Sequence, residues 1–149
     1  SRHPLADARA LQPRTDYDTL RLHATLLWQG QPVHLSALHP MPPLSSAYAQ
    51  ARDHALRDEA LRLSQSGGLG VMAGDLNTTP WARGLWGAEQ AQMRRAGPGV
   101  PTWPNAWGWL SVLPLDHVLA SPGWQLVEAH TGPDLGSDHR PMVVRLVAR

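Results

Sequence analysis

Three carboxylates, a carboxamide and two imidazoles stand at the ends of runs that read as β-strands. His39 and Asp75-Leu76-Asn77 follow the carboxyl ends of two such runs, while Asp116 and Ser137-Asp138-His139 lie at or before the amino ends of two others. If the second pair of strands runs antiparallel to the first, all of these groups reach one edge. Hydrolysis at phosphorus needs such a cluster: a cation to neutralise phosphate oxygens, an activated water, and donors for the developing charge. Asp75, Asp116 and Asp138, with the Asn77 amide, are hard oxygen ligands or water-orienting groups suited to Mg²⁺ or Mn²⁺. His39 and His139 could donate to phosphate, and a carboxylate on the second ring nitrogen would fix the tautomer and raise the basicity of either.

Each segment has a plainer reading when taken alone. Gly74-Asp75-Leu76-Asn77 could be a strand exit in which Asp and Asn close a turn through their own side chains. Ser137-Asp138-His139-Arg140-Pro141 could be a capped turn before the last strand, and His39, before Pro40, a strand-end histidine bonded to backbone. Co-occurrence in order favours a site, because a turn at one place predicts nothing about residue identity at the others. Elsewhere the chemistry is thinner. His23, His34, His54 and His130 show no metal spacing, Ser36, Ser111 and Ser121 stand in no nucleophile-elbow context, and His117 faces away from Asp116 along its strand. Gly67-Gly68-Leu69-Gly70 precedes a strand, lacks a P-loop lysine and reads as a helix stop.

The elements that must position these groups follow from periodicity. Leu20 to Trp28 alternates with period two, Gln29 to Pro32 makes a turn, and Val33 to Leu38 alternates again before His39-Pro40 ends the ladder. Ser45 or Ser46 caps a long helix to about Ser66, with Ala47, Tyr48, Ala51 and Ala55 on one face and Asp53/Arg57 and Asp58/Arg62 spaced to pair. Leu69 to Gly74 reads as a buried strand. Thr79-Pro80 supplies a cap and first-turn proline for a second helix carrying Trp81, Leu85 and Ala88. Gly97 to Leu113 is a long Pro- and Gly-punctuated loop with Trp103, Trp107 and Trp109, and loops of that length are usually functional. It is expected to border the cleft. Leu115 to Ala120, Trp124 to His130 and Met142 to Val147 are the remaining strands. The pattern predicts an α/β sandwich with mixed sheets in one domain, residues 1–149.

Composition narrows the classes. The 149 residues are 42% hydrophobic and carry 13 Lys+Arg against 12 Asp+Glu, so no global basic field draws the chain to nucleic acid or anionic lipid. Nucleic acid is compatible with that balance but not demanded by it, and phosphate recognition must be local. Every basic residue is Arg, and there is no Cys, which excludes lysine Schiff bases, thiolate nucleophiles, disulfides and cysteine metal sites. No apolar stretch approaches the roughly 20 residues of a membrane span. The chain does not begin with Met, and its start reads as cut.

Leu38-His39-Pro40, Gly74-Asp75-Leu76-Asn77, Leu115-Asp116-His117-Val118 and Gly136-Ser137-Asp138-His139-Arg140-Pro141 resemble, in order, the later motifs of the endonuclease/exonuclease/phosphatase superfamily. Gly74 to Trp81 and Thr102-Trp103-Pro104 look most like its YafD-like bacterial branch, and Ser1-Arg2-His3-Pro4-Leu5 resembles a turn midway through such domains. The resemblance implies a deoxyribonuclease-like fold, a four-layer α/β sandwich of mixed sheets, represented here by its C-terminal portion without the earlier Asn and metal-binding Glu. It implies that Asp75 orients or deprotonates the attacking water, Asn77 contacts the scissile phosphate, His39 and His139 bracket phosphoryl oxygens, Asp116 pairs with His139, and Asp138 lies near the metal. Asp75 and Asp138 are the metal candidates, for Mg²⁺ or Mn²⁺. The function implied is metal-dependent hydrolysis of a phosphodiester or phosphomonoester; the alternative is a catalytically silent binding or assembly module. Two further expectations are self-association or pairing with the missing N-terminal segment, and a membrane-anchored parent with this domain outside the cytoplasm. The isolated chain is expected to show little or no hydrolysis.

Overall fold

The computed structural model describes residues 1–106 and 112–149. In chain order the elements are β1 (Leu5–Leu11), β2 (Arg21–Trp28), β3 (Gln31–Leu38), α1 (Ser46–Ser64), β4 (Leu69–Asp75), α2 (Arg83–Gln90), β5 (Arg94–Arg95), β6 (Asp116–Ala120), β7 (Trp124–Thr131) and β8 (Met142–Ala148). Six strands form a mixed sheet in the order β1-β2-β3-β4-β6-β5, and β7 pairs with β8 in a separate two-stranded sheet. β3 and β4 run parallel, with α1 as their crossover, while β6 is antiparallel to β4. The mixed α/β class is therefore the one the alternation of elements predicts. The antiparallel step brings the start of β6 to the end of β4.

β2 and β3 are joined by Gln29-Gly30, both at positive φ (51° and 80°), the two-residue turn whose twist matches a hairpin. β3 consequently begins at Gln31, two residues earlier than the sequence reading. Pro32 is tolerated because its position opposite Leu27 is not hydrogen-bonded to β2 in such a hairpin, and pairing to β4 starts only at Val33. β1 is not anticipated by the sequence reading, which places its first residue, Leu5, in a turn; Leu-Ala-Asp-Ala-Arg-Ala-Leu has low strand propensity, and the strand survives as an edge with a register shift between Ala6 and Arg9. No helix among the described residues is long and apolar enough to cross a membrane.

α1 starts as expected, with the Ser45 hydroxyl accepting the Tyr48 N–H at 3.2 Å. Its buried stripe is Arg52, Ala55, Leu56, Glu59, Ala60 and Leu63, rotated from the alanine face expected. Glu59 explains part of that rotation. It is buried between Arg62 and His23 of β2, whose Nε2 lies 2.9 Å from Oε1, so Arg62 turns to Glu59 and not to Asp58. Asp53 likewise takes Arg52 in place of Arg57. α2 starts at Arg83, not at Thr79-Pro80. Thr79 instead accepts the Ala82 N–H in a turn, and Trp81 stands exposed ahead of the helix.

The core lies between the helices and one face of the large sheet: Leu56, Ala60 and Leu63 of α1 and Leu85 and Ala88 of α2 meet Leu38, Met72 and Leu119. Period-two alternation sends Leu22, Ala24, Leu35, Ala37, Val71 and Ala73 to the other face, where they line an open groove of about 500 Å³.

Candidate active site

The site is built where β4 runs out. Gly74 sits at φ +153°, and a Cβ there would stand 1.9 Å from the Leu38 carbonyl oxygen, so only glycine lets β4 pass this close to the end of β3. Asp75 follows directly and faces Asp116 across the antiparallel β4/β6 pair. Asn77 then adopts φ +47°, its N–H donates to Asp75 Oδ1 at 2.9 Å, and its Nδ2 donates to the Pro40 carbonyl at 2.9 Å. The plain turn reading and the site reading thus share one carboxylate, with Oδ1 closing the turn and Oδ2 free to face outward.

Asp75 Oδ2 lies between two imidazoles, 3.4 Å from His39 Nε2 and 3.6 Å from His139 Nε2. His139 is aligned from its other side, where Nδ1 donates to Asp116 Oδ2 at 2.7 Å. The Ser137 hydroxyl accepts the His139 N–H at 3.1 Å, so Ser-Asp-His is also a turn that presents its histidine. Asp75, Asp116 and His139 retain 17%, 21% and 22% of their side-chain exposure and His39 72%, which describes a shallow cleft with one fully solvated wall. Asp138 is exposed; its Oδ1 lies 3.5 Å from the Ser137 hydroxyl, and its charge adds to the field at His139.

Electrostatics divide the roles. Burial, reinforced by the Asp116 charge, raises the Asp75 carboxyl above the ordinary range despite the Asn77 N–H and the two histidines. For His139, burial alone would favour the neutral ring. The hydrogen bond and charge of Asp116, with Asp75 and Asp138 behind them, overcome it and raise the imidazole above its ordinary value. A carboxylate of raised basicity beside a stabilised imidazolium can take a proton from water and supply a donor to an oxyanion in the same cleft.

The structure therefore brings His39, Asp75, Asn77, Asp116 and His139 to one strand edge, with Asp138 at its rim. Among the described residues no three His, Asp or Glu side chains are grouped to hold a metal ion. The oxygens of Asp75 serve Asn77 and the histidines, and the nearer oxygen of Asp116 serves His139. These residues alone do not make a metal site.

The described parts of the Gly97–Leu113 segment border the cleft through Thr102, of the Thr102-Trp103-Pro104 run, and through Asn105, which sequence reasoning did not single out. The buried Thr102 hydroxyl accepts the N–H groups of Leu115 and Asp116 at 3.3 and 3.4 Å, and the Thr102 carbonyl accepts the Arg140 N–H at 2.8 Å. Asn105 donates from its backbone to the Asp138 carbonyl and from Nδ2 to the Ser137 carbonyl. The loop thus holds both arms of the His139–Asp116 pair; the signal for Thr102 was its place in the Thr102-Trp103-Pro104 run, and for Asn105 only a polar side chain in a mostly apolar, proline-rich stretch. Trp107 and Trp109 lie outside the described residues.

Residues 1–139 match the Endonuclease/Exonuclease/phosphatase family. No curated protein matches the sequence. Among solved structures, an endonuclease/exonuclease/phosphatase from Beutenbergia cavernae is 23% identical with a TM-score of 0.74, covering 99% of this chain and 46% of its own. A mannosyl-6-phosphatase from Bacteroides thetaiotaomicron is 13% identical (TM-score 0.70), covering 97% of this chain and 67% of its own. Sphingomyelinase C from Streptomyces griseocarneus is 16% identical (TM-score 0.67), covering 97% of this chain and 65% of its own. At such identities the likeness establishes the fold, and the chain spans between about half and two thirds of these structures' length. Members of the family are phosphoesterases and generally depend on a divalent metal. With the family's pattern running through residues 1–139 and its fold reproduced over nearly the whole chain, this chain belongs to the endonuclease/exonuclease/phosphatase family.

Proposed function

We propose that the cleft hydrolyses a phosphate ester by attack of water at phosphorus, with Asp75 as the base. The observation that carries this reading is the placement of Asp75 Oδ2 between His39 Nε2 and His139 Nε2, with His139 oriented by Asp116. Asp75 accepts the proton of the attacking water as its oxygen bonds to phosphorus, and protonated His139 donates a hydrogen bond to the phosphoryl oxygen on which charge develops. The bond from phosphorus to the ester oxygen breaks, the alcohol leaving with a proton from solvent. His39 offers a second donor from the solvated wall. Asn77 keeps one amide hydrogen for the substrate beyond the one given to Pro40.

Mg²⁺ or Mn²⁺ is the metal proposed, on the hard oxygens of Asp75 and Asp138. Its remaining ligands would come from outside the described residues, so no step above passes through it. The open apolar sheet face and the greater length of the solved neighbours support reading the chain as the C-terminal portion of a longer domain, as in the YafD-like branch. The same open face favours the second reading, a silent module that binds a missing segment or a second copy. Substrate class is proposed no more narrowly than phosphate ester, because the cleft residues read phosphate and not its substituent.

The test is hydrolysis of bis-p-nitrophenyl phosphate and p-nitrophenyl phosphate across a Mg²⁺ and Mn²⁺ series, by the full-length protein and by the 149-residue chain. Metal-dependent turnover by the full-length protein, weak or absent in the isolated chain, is the expected result. No turnover of either ester by the full-length protein at any metal concentration would favour the silent module.

A further inference from the structure

We propose that Arg52 and His117 are positioning residues that fix the Asp75–Asn77 turn by gripping the consecutive carbonyls of Asn77 and Thr78 from two different elements. The inference rests on the reading of Asp75 as the water-activating carboxylate and extends it to residues outside the cleft.

The turn needs holding. Asn77 stands at φ +47°, a conformation that non-glycine residues enter at some cost and keep only where the surroundings impose it. Its N–H is committed to Asp75 Oδ1, so any rotation of this peptide carries the carboxylate with it. The margin is small, since Oδ2 reaches its two histidines at only 3.4 and 3.6 Å.

Arg52 is one of two charged residues in the otherwise apolar stripe that α1 buries, standing 7% exposed, and unlike Glu59 it does not face β2's His23. A guanidinium is costly there unless paired and bonded. Asp53 meets the first need, its Oδ1 accepting Nε at 2.9 Å and Nη2 at 2.8 Å. The remaining arm points at the site: Nη1 donates to the Asn77 carbonyl at 2.7 Å. From the other side comes His117, 3% exposed on β6, whose Nε2 donates to the Thr78 carbonyl at 2.8 Å. Burial holds this imidazole below its ordinary pKa, against the pull of its bond to the Thr78 carbonyl.

α2 closes over the cluster. A Cβ on Gly84 would stand 2.8 Å from Asp53 Oδ1, 3.1 Å from Thr78 Oγ1 and 3.4 Å from Arg52 Nε, so the helix backbone leaves the guanidinium little room to move. Adjacent residues of β6 therefore act on both sides of the cleft: Asp116 orients His139, and His117 anchors the turn that carries Asp75. A purely structural role, tying α1 and β6 to a loop, would give the same contacts but no selective effect on the turn.

Backbone hydrogen exchange separates the two. In the 149-residue chain, Asn77 N–H is bonded to Asp75 and Leu76 N–H to the Leu115 carbonyl, so both are reporters, with Met72 and Leu119 as core controls. Arg52→Met and His117→Leu should each speed exchange at Asn77 by about tenfold or more while Met72 and Leu119 stay unchanged. Arg52→Lys and His117→Gln, which keep a donor, should restore part of the protection. If Arg52→Met does not fold, the His117 pair and Gly84→Ala, which crowds the guanidinium, carry the same comparison. Exchange at Asn77 that does not change, or that changes only in step with the core controls, would overturn the proposal. In the full-length protein His117→Leu should lower kcat for ester hydrolysis with KM nearly unchanged; unaltered kcat would count equally against it. Should Asp75→Asn hydrolyse as well as the parent, the functional reading fails, and the exchange result still decides whether the turn is clamped.

Discussion

Replacing Asp116 by Asn removes the charge from the His139 pair while preserving its shape, and the structure says how much that should matter and at which pH. The Nδ1 to Oδ2 distance is 2.7 Å, and both side chains are about four fifths covered, at 22% and 21% exposure. A hydrogen bond to a charged group contributes about 1.5–3 kcal/mol, and partial solvent access brings the expectation here to about 1–2 kcal/mol. With that hydrogen bond and charge removed, His139 in Asp116→Asn should titrate lower than in the parent. The sign follows from the direction of the shift. His139 is raised above its ordinary 6.5 in the folded state, so the stabilisation is fully present below 6.5 and disappears as pH rises through the folded value. Urea unfolding should therefore show a loss of about 1–2 kcal/mol for Asp116→Asn near pH 5.5 and a much smaller loss near pH 9, with the His139 ring followed by NMR in both proteins. Equal losses at the two pH values, or an unmoved His139 titration, would refute the reasoning.

Other outcomes follow from the same geometry. Gly74→Ala places a Cβ 1.9 Å from the Leu38 carbonyl oxygen, so thermal unfolding should show a loss of about 3 kcal/mol or more, beyond ordinary overpacking. Ser45→Ala removes the α1 cap and should cost about 1 kcal/mol in the same assay without affecting hydrolysis. If Asp75 acts ionised and His139 protonated, the pH profile of kcat/KM should be a bell whose acid limb lies above the ordinary carboxylate 3.8 and whose basic limb lies above 6.5. If the open sheet face mediates self-association, sedimentation should show concentration-dependent association of the parent that Leu22→Arg suppresses, and identical sedimentation of variant and parent would rule that face out.

What could be read from sequence was whatever has a short-range cause. The β2–β3 hairpin follows from alternation and its Gln-Gly turn, the start of α1 from Ser45, and the strand-end placement of His39, Asp75, Asp116 and His139 from where apolar runs stop. The contacts that finish the site are long-range and leave little local trace. Arg52 looks like one more surface arginine of a polar helix until β4 delivers the Asn77 carbonyl to it, 25 residues on. Thr102 and Asn105 sit in a loop without periodicity, and only the return of Ser137 to Arg140 shows what they hold. The Thr79-Pro80 motif misled for a related reason: a helix cap and a turn look alike in sequence, and the backbone closed a turn to Ala82 first. β1 was hidden because an alanine-rich edge strand owes its existence to β2 and not to its own propensity.

The central claim is that Asp75 activates the water that attacks phosphorus. It is tested most directly by comparing kcat for bis-p-nitrophenyl phosphate between the full-length protein and Asp75→Asn at saturating divalent metal. The account predicts a fall of about 100-fold or more, the usual contribution of a positioned general base. A variant that retains the parent's kcat would contradict it.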